Sequence, residues 1–437
     1  ATTIKMSSEE ILLSVFQFCA GREFVNEERA KNLIESATSR AKSNSLTQLR
    51  IGNKSYDNAA AQAIANYLDS LDSNIDVADI GDIIAGRPEE EALRTLTIIC
   101  SGLKRFNLTE FNVSDNAMGA KGVEACKEIL CGKSLKKLYM CNDGLSAEAL
   151  VLLASILLEG GCPPLDTLHF YNNMSGSGGA AAVRDIVRHC PDLESFRYSA
   201  TRPGPEGCLA IAEAIASVTK LKRIDVADDN FGEAASLLVA EALKHQPQLE
   251  YLNLRDDAFS EEGFVCLFDA IKDSTFPNLN FLDLSGNEMS AELVLQFSQC
   301  FVQLNKLEQL LLDDNEFGTE GCLHMATALS GLVSLNTLSV CCCEISGKGA
   351  FVLSRALSKL PKFLKLEING NALVERAIDE VKRFLLSVGK IIGDLEDNDE
   401  DGEDDIESVL AELEEEEHND KDDGEDELVA AMKASAI

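Results

Sequence analysis

A short apolar phrase recurs along this chain at nearly constant spacing. It has the form L-x-L-x-x-N-x-φ, where φ is an apolar residue, and it occurs about twelve times. Clear copies occupy residues 111–118, 138–145, 282–289, 310–317 and 366–373. Weaker copies begin at Leu49, Ile75, Leu168, Phe196, Ile224, Leu252 and Leu338. From Met140 to Ile368, successive copies are 28 or 30 residues apart, which predicts a stack of similar structural units.

Each copy predicts one strand and one helix. The alternating apolar residues indicate a short strand with one buried face, and the Asn or Asp after it can bond the turning backbone. A glycine-containing turn follows, and then an amphipathic stretch such as residues 209–216 (LAIAEAIA), which indicates a helix. The sequence therefore predicts an α/β fold: a leucine-rich-repeat solenoid, or horseshoe, with long 28-residue repeats, an inner parallel β-sheet and outer helices.

Three regions follow from this pattern. Residues 1–45 are predicted to form an N-terminal cap, and residues 46–393 the leucine-rich-repeat domain, closed by a C-terminal cap at residues 378–388. Residues 394–437 contain 21 acidic residues and two lysines, so they are predicted to be an acidic, disordered tail, apart from a helical pattern at residues 406–413.

Charge and composition exclude several classes of function. The chain carries 74 acidic and 39 basic residues, a formal net charge of −35, which disfavours nucleic acid and favours a basic protein partner. The 14 cysteines are scattered and include residues 341–343, so they are interpreted as reduced thiols of an intracellular protein. No CxxC pair or histidine cluster predicts a metal site. No long apolar stretch predicts membrane insertion.

The regular spacing is interrupted near the N-terminus. Val77 and Val113 are 36 residues apart, which implies about eight inserted residues around positions 83–91 (IIAGRPEEE). The longer loop would present Gly86, Arg87 and Pro88. Arg87 can contact a carboxylate or phosphate of a partner through its planar guanidinium, or it can pair with Glu89 or Glu90 as an ordinary surface arginine.

A second departure lies at residues 139–144 (YMCNDG). Asn142 stands one place before the usual turn position, and Asp143 occupies that position. Asn172 and Asn173 form a similar pair in the next copy. Such asparagines often cap a turn, so both a capping role and a contact role remain open.

Several longer phrases resemble the Ran GTPase-activating proteins, most closely the plant-type members. The phrases are DIIAGRPEEEAL, NVSDNAMGAKG, LYMCNDGLS, FYNNMSG and FRYSATRPGPEG, at residues 82–93, 112–122, 138–146, 170–176 and 196–207. The resemblance implies a GTPase activator that binds Ran-GTP, alone or with Ran-binding proteins, and positions Ran's catalytic glutamine without an arginine finger. The chain would not itself be the hydrolase and would need no cofactor, because Ran carries the GTP and Mg²⁺.

The resemblance also implies roles for individual residues. Arg87, in the A-G-R motif, would be needed for activity without entering the phosphate site, and Asn142 would approach the catalytic glutamine. The predicted partner-binding residues are Gly86, Asp115, Asn116, Asp143, Asn172, Asn173 and Arg202.

The resemblance places the protein in the Ran cycle. It implies a part in nucleocytoplasmic transport and in the spindle and nuclear-envelope functions of that cycle. We expect a cytoplasmic monomer, with the nuclear envelope as a second location. The sequence has no Trp, so we expect no targeting domain of the plant type.

Two alternative functions remain open at this stage. A binding protein resembling ribonuclease inhibitor would share the long repeats, acidic charge and abundant cysteine, and would bind a basic ribonuclease. An inert scaffold would only bind basic partners. The ribonuclease-inhibitor class needs neither the A-G-R insertion nor the disordered tail.

Overall fold

The computed structural model describes residues 15–18, 21–40, 46–273, 276–399, 402, 404–408 and 410–411. It divides the chain into two compact units, Ala1–Leu267 and Phe268–Ile437. Both units are built from the same repeating strand and helix.

The first unit contains most of the helices and strands. Its elements are β1 (Val15–Gln17), β2 (Phe24–Val25), α1 (Glu27–Arg40), β3 (Gln48–Arg50), β4 (Ser55–Tyr56), α2 (Asn58–Asp69), β5 (Val77–Asp79), α3 (Glu89–Leu103), β6 (Glu110–Asn112), α4 (Gly119–Ala125), α5 (Lys127–Leu130), β7 (Lys137–Tyr139), α6 (Ala147–Glu159), β8 (Thr167–His169), α7 (Gly176–Val187), β9 (Ser195–Arg197), α8 (Gly204–Ala216), β10 (Arg223–Asp225), α9 (Gly232–Leu243) and β11 (Tyr251–Asn253). Helix α10 (Glu261–Lys272) includes the boundary between the units.

The second unit repeats the pattern with fewer copies. Its elements are β12 (Phe281–Asp283), α11 (Ala291–Ser298), β13 (Gln309–Leu311), α12 (Gly318–Ala328), β14 (Thr337–Ser339), α13 (Gly347–Ser358), β15 (Lys365–Glu367), α14 (Glu375–Ser387) and β16 (Ile391–Ile392). Two 3₁₀ turns, Phe301–Gln303 and Leu329–Gly331, follow α11 and α12.

Strands of successive repeats are parallel neighbours within each unit. In the first unit the order is β1-β3-β5-β6-β7-β8-β9-β10-β11, and in the second it is β12-β13-β14-β15-β16. Strands β2 and β4 form a separate two-stranded parallel sheet. In a typical strand such as β7, the central residue Leu138 and the residue two places later, Met140, are fully buried. The predicted leucine-rich-repeat α/β fold is confirmed.

The helices form for local reasons that the sequence contains. In α6, Ser146 is the N-cap and its hydroxyl accepts a hydrogen bond from the backbone N–H of Ala149. The buried residues of this helix include Leu150, Leu153 and Leu157, which lie on one face at spacings of three and four. Burial of each such leucine contributes about 1.5–3 kcal/mol to folding.

The structure corrects the second repeat. The sequence placed its first apolar position at Ile75, but Ala78 pairs with Leu49 on one side and Phe111 on the other. The apolar alternation therefore runs through Ala78 and Ile80, both fully buried, and Ile75 is buried before the strand begins. Ala78 and Phe111 are 33 residues apart, so the insertion is about five residues longer than a 28-residue repeat and not eight.

The first repeat begins earlier than predicted. Strand β1 pairs with β3 and α1 spans Glu27–Arg40, so part of the predicted cap at residues 1–45 is already a repeat unit. Residues 1–14, 19–20 and 41–45 of that cap lie outside the described residues.

The repeat domain also ends later than residue 393. The side chain of Asn398 accepts a hydrogen bond from the backbone N–H of Asn371, as the asparagines of earlier repeats do for one another. Asp405 accepts a hydrogen bond from the backbone N–H of Lys348, near the N-terminus of α13, and Ile406 is fully buried. The predicted tail therefore begins with a folded segment, and residues 412–437 lie outside the described residues.

Replacing Ile406 by alanine is expected to destabilise the protein by about 2–4 kcal/mol, because it removes a fully buried side chain from the end of the stack. Urea denaturation of the full chain, followed by circular dichroism, measures this change. Glu407→Ala is the matched control, since the neighbouring Glu407 side chain is 79% exposed. Equal midpoints for the two variants would contradict a structural role for this segment.

Within the described part of the chain, no helix combines the length and apolar character needed to cross a membrane. The same residues contain no cluster of three or more metal-ligating side chains of the His, Cys, Asp and Glu types. The thirteen described cysteines carry free thiols.

Candidate functional site

The predicted site residues lie in loops that follow five consecutive strands of the first unit. Gly86 and Arg87 follow β5, and Arg202 follows β9. The two residue pairs at 115–116 and 142–143 follow β6 and β7, and the pair at 172–173 follows β8. Because these strands are parallel, all five loops leave the sheet at the same edge.

The Arg87 side chain is turned inward, onto the small sheet formed by β2 and β4. Its Nε donates to Ser55 Oγ at 3.0 Å, and its Nη2 donates to the carbonyl oxygens of Ser55 and Val25 at 2.7 and 3.5 Å. Nη1 lies 3.6 Å from a carboxylate oxygen of Glu91, and the side chain is only 15% exposed. The guanidinium therefore fastens the inserted loop to the preceding repeats.

The sequence had left open an ion pair with Glu89 or Glu90. The observed partner is Glu91, four residues along the first turn of α3, whereas Glu89 pairs with Lys121 at 2.5 Å. Arg87 was predicted to be presented at the tip of the loop. Its side chain is instead bound by the backbone carbonyl oxygens of β2 and β4.

Gly86 is required by the shape of the same loop. It is exposed and has φ +75°, a conformation that side chains with a Cβ rarely adopt. A Cβ at this position would lie 3.1 Å from Cζ of Phe24. The centre of the Phe24 ring also lies 5.1 Å from the Arg87 guanidinium carbon, so the ring neighbours both residues.

Three exposed polar residues form a hydrogen-bonded row on the adjacent loops. The Asn142 Nδ2 donates to Asp115 Oδ1 at 2.9 Å, and the Asn172 Nδ2 donates to Asn142 Oδ1 at 2.9 Å. All three residues have φ between 54° and 65°, in the left-handed region that Asn and Asp tolerate best. The central amide of Asn142 still has one N–H and one oxygen lone pair available to a partner. We call Asp115, Asn142 and Asn172 the exposed amide row.

Asn116, Asp143 and Asn173, three of the predicted partner-binding residues, are buried. Their exposed fractions are 4%, 0% and 2%. The backbone N–H of Asn116 donates to Asp143 Oδ1 at 2.9 Å, and that of Asp143 donates to Asn173 Oδ1 at 3.1 Å. These side chains turn inward because they satisfy the backbone where each strand bends into its loop.

The structure brings some of the predicted residues together and separates others. Asn142 and Asp115 line a polar cleft of about 850 Å³ that also contains Arg22, Arg50 and Asp82. Gly86 and Arg87 line a neighbouring cleft of about 640 Å³. Arg202 is exposed and lines a third cleft of about 600 Å³ with Asp228 and Phe231.

Comparison with known proteins assigns the family. A family profile described as Leucine Rich repeat matches residues 106–125. The Arabidopsis thaliana protein named RAN GTPase-activating protein 2 is 38% identical over 385 residues, which cover 88% of this chain and 70% of that protein. The chain belongs to the family of Ran GTPase-activating proteins.

Two further similarities are weaker or shorter. The Arabidopsis thaliana RAN GTPase-activating protein 1 is 35% identical over 120 residues, which cover 27% of this chain and 22% of that relative. The crystal structure of an internalin from Listeria monocytogenes covers 90% of this chain and 91% of its own, with a TM-score of 0.46 and 14% identity. At these values the internalin adds nothing to the assignment.

In this member of the Ran GTPase-activating protein family, some repeats have aspartate in place of the buried asparagine. Asp143, Asp229 and Asp257 each accept a backbone N–H at Oδ1, and among the described atoms Oδ2 of each is buried without a hydrogen-bond partner. Asn173 uses its Nδ2 at this place to donate to the Met140 carbonyl oxygen. A protonated carboxyl can donate in the same way, whereas an ionised one cannot.

Burial has a measurable consequence at Asp229. Loss of solvation raises the pKa of Asp229 to about 7, hydrogen bonds from Thr201 and the Arg202 backbone oppose the rise, and Asp228 adds to it. The buried Asp257 carboxyl also faces it, and its own pKa is raised by burial and by Asp229. The folded chain therefore binds this proton more tightly than the unfolded chain, where an aspartate pKa is about 3.9.

Replacing Asp229 by asparagine is expected to stabilise the protein at neutral pH. A raised folded-state pKa contributes stability that is present below pH about 4 and lost as pH rises through about 7. Asparagine keeps the hydrogen bond to Thr201 and needs no proton. Between pH 5 and pH 8 the variant should gain on the order of 2 kcal/mol relative to wild type.

Urea unfolding at several pH values measures this gain. Asp72→Asn is the matched control, because Asp72 is exposed, does not contribute to the pKa shift of Asp229, and its substitution makes the same change in charge. If the difference in unfolding free energy between wild type and Asp229→Asn did not depend on pH, the Asp229 carboxyl would not be protonated in the folded protein.

Sequence reasoning missed the residues that hold Arg87. Phe24, Val25 and Ser55 belong to strands of two residues each, and Val25 is 62 positions from Arg87. Such short strands leave no detectable periodicity. The sequence analysis also missed the Arg197 guanidinium, which stacks 3.8 Å from the centre of the Tyr171 ring, because both residues occupy variable positions of the recurring phrase.

His169 lies beside this pair. Burial, with Arg223 and Arg197 nearby, lowers the pKa of His169 to about 4.

Proposed function

We propose that this protein stimulates GTP hydrolysis by Ran. The observation that carries this proposal is the 38% identity to an Arabidopsis Ran GTPase-activating protein over 88% of the chain. The hydrolytic site belongs to Ran, which also carries the GTP and its Mg²⁺. The activator lowers the barrier by arranging groups that Ran already has, since phosphoryl transfer depends mainly on positioning and charge stabilisation.

Arg87 acts as a positioning residue. Its guanidinium already donates to Ser55 and Val25 and is mostly buried, so moving it into another protein's nucleotide pocket would break these hydrogen bonds. Charge-assisted hydrogen bonds of this kind contribute about 1.5–3 kcal/mol each. Because these hydrogen bonds would have to break, the arrangement favours a mechanism without an arginine finger. Arg87 instead keeps the loop at residues 83–91 in the shape that the partner contacts.

Asn142 is the group that approaches Ran's catalytic glutamine. A primary amide offers a donor and an acceptor, which match the donor and acceptor of a glutamine side chain. The hydrogen bonds to Asp115 and Asn172 hold the Asn142 amide before the partner arrives, so little conformational entropy is lost on docking. In the related Ras system, activators accelerate hydrolysis about 10⁵-fold, or about 7 kcal/mol.

The activity belongs to the Ran cycle. Conversion of Ran-GTP to Ran-GDP supports nucleocytoplasmic transport and the spindle and nuclear-envelope functions of Ran. The protein acts in the cytoplasm and at the nuclear envelope, as a monomer, on Ran-GTP alone or with Ran-binding proteins. Its net charge of −35 favours fast association with basic protein surfaces.

The proposal is tested by adding catalytic amounts of the protein to Ran-GTP and, in parallel, to Ras-GTP. We expect many Ran-GTP molecules hydrolysed per molecule of activator, and no acceleration with Ras. A scaffold would produce at most a stoichiometric effect. A protein that acts like ribonuclease inhibitor would leave both GTPases unchanged and would inhibit a basic ribonuclease instead.

A further inference from the structure

The exposed apolar side chains of the first unit are unevenly placed. Among its described residues, large hydrophobic side chains are more than a third exposed at Phe24 (69%), Met174 (66%), Val151 (54%), Leu237 (38%) and Val265 (36%). The last three lie on the helices α6, α9 and α10. Phe24 and Met174, the two most exposed, lie on the side of the sheet where the site loops emerge.

Phe24 is held directly over the loop that carries Arg87. It belongs to β2, which pairs with Ser55 and Tyr56 of β4, so its backbone is fixed. One edge of its ring lies 3.1 Å from the position that a Cβ on Gly86 would occupy, and the Arg87 guanidinium lies 5.1 Å from its centre. The remaining surface of the ring faces solvent. The cation–π attraction between an arginine and an aromatic ring becomes stronger when a docked protein removes water from the pair.

Met174 occupies the corresponding place at the other end of the exposed amide row. It follows Asn173 and lies two residues after Asn172, the last member of that row. Its neighbour Asn173 is buried and hydrogen-bonded to the backbone, so the loop is anchored while the Met174 side chain stays exposed. Methionine adapts its shape to a partner surface at little cost.

The distance between these two side chains suits one globular partner. Phe24 adjoins the repeat of β3, and Met174 follows β8, which is four strand spacings away in the sheet. Four spacings of about 4.8 Å amount to roughly 19 Å. A standard protein interface buries about 800 Å² on each side, equivalent to a disc roughly 32 Å across. A single docked protein can therefore cover Phe24, Arg87, the exposed amide row and Met174 together.

We propose that Phe24 and Met174 are the two apolar anchors of the surface that docks the GTPase, one on each side of the exposed amide row. The inference rests on the proposed function, because it commits to Ran-GTP as the occupant. The polar residues between the anchors align the catalytic glutamine, and the anchors supply affinity. Aromatic residues and methionine are enriched at protein interfaces, and a few well-buried side chains carry most of the binding energy.

The test measures binding and catalysis separately. Phe24→Ala and Met174→Ala are each expected to weaken binding of Ran loaded with a non-hydrolysable GTP analogue about tenfold, a loss within the range of interface anchors. The hydrolysis rate at saturating activator should stay within about twofold of wild type for Met174→Ala. Phe24→Leu should retain most of the affinity, because it keeps an apolar cover over Gly86.

Val151→Ala is the matched control, since Val151 is also exposed but lies on α6. Thermal denaturation of each variant establishes that it is folded. Binding by Phe24→Ala and Met174→Ala equal to that of Val151→Ala would overturn the anchors while leaving the proposed function intact. A wild-type protein that neither binds Ran-GTP nor accelerates its hydrolysis would overturn both.

Discussion

Replacing Arg87 by alanine is expected to lower the GTP hydrolysis that the protein stimulates in Ran by about 100-fold, while the protein remains folded. The substitution removes the hydrogen bonds to Ser55 and Val25 and the stacking on Phe24 that hold the loop at residues 83–91. Misplacing a contact surface by about 1 Å costs on the order of 10²-fold in rate. Single-turnover hydrolysis by Ran, at limiting and at saturating activator, measures the loss.

Two further arginine variants make this prediction specific. Arg87→Lys should be nearly as impaired, because one ammonium group cannot reproduce the planar fork that reaches Ser55 through both Nε and Nη2. Arg105→Ala is the matched control. Arg105 also donates to two backbone carbonyl oxygens and also lies over a phenylalanine ring, Phe106, but it precedes β6 and so lies away from the site loops. If Arg105→Ala and Arg87→Ala were equally active, Arg87 would have no special part in the site.

Replacing Asn142 by alanine is expected to reduce the saturating hydrolysis rate by about 100-fold with little change in Ran binding. The substitution removes one preorganised amide, and loss of one such hydrogen-bonding group that acts on the transition state costs about 10²–10³-fold. Its two partners, Asp115 and Asn172, would also lose their shared neighbour. Rates at saturating activator, combined with binding of Ran carrying a non-hydrolysable analogue, separate catalysis from affinity.

Asn142→Asp should fail as well, because a carboxylate has no N–H to donate to Asp115 or to a glutamine oxygen. Asp314→Ala is the control for backbone effects. Asp314 adopts φ 53°, almost the same as the 54° of Asn142, but belongs to the second unit. A saturating rate for Asn142→Ala that equals the Asp314→Ala rate would exclude the asparagine from the catalytic arrangement.

The predicted and observed positions of buried residues differ where burial does not follow the repeating phrase. Ile75 fits the apolar position of the phrase better than Ala78 does, yet Ala78 is the residue that pairs with Leu49 and Phe111. A small alanine at a buried strand position is invisible to a search for large apolar residues. Beyond residue 393 the cause is different: dense negative charge predicts disorder there, but burial of Ile406 against the last repeats is a tertiary contact that composition does not show.

Periodic burial is encoded locally, so the sequence by itself determined the repeating strand and helix, the parallel order of repeats and the position of an inserted loop after β5. Two features depended on the tertiary structure alone. Asn142 faces solvent while Asp143 is buried, because Asp143 must accept the backbone N–H of Asn116, 27 positions earlier. The Arg87 guanidinium turns away from solvent because carbonyl oxygens 32 and 62 positions earlier meet it there. Such contacts between distant positions exist only once neighbouring repeats have stacked.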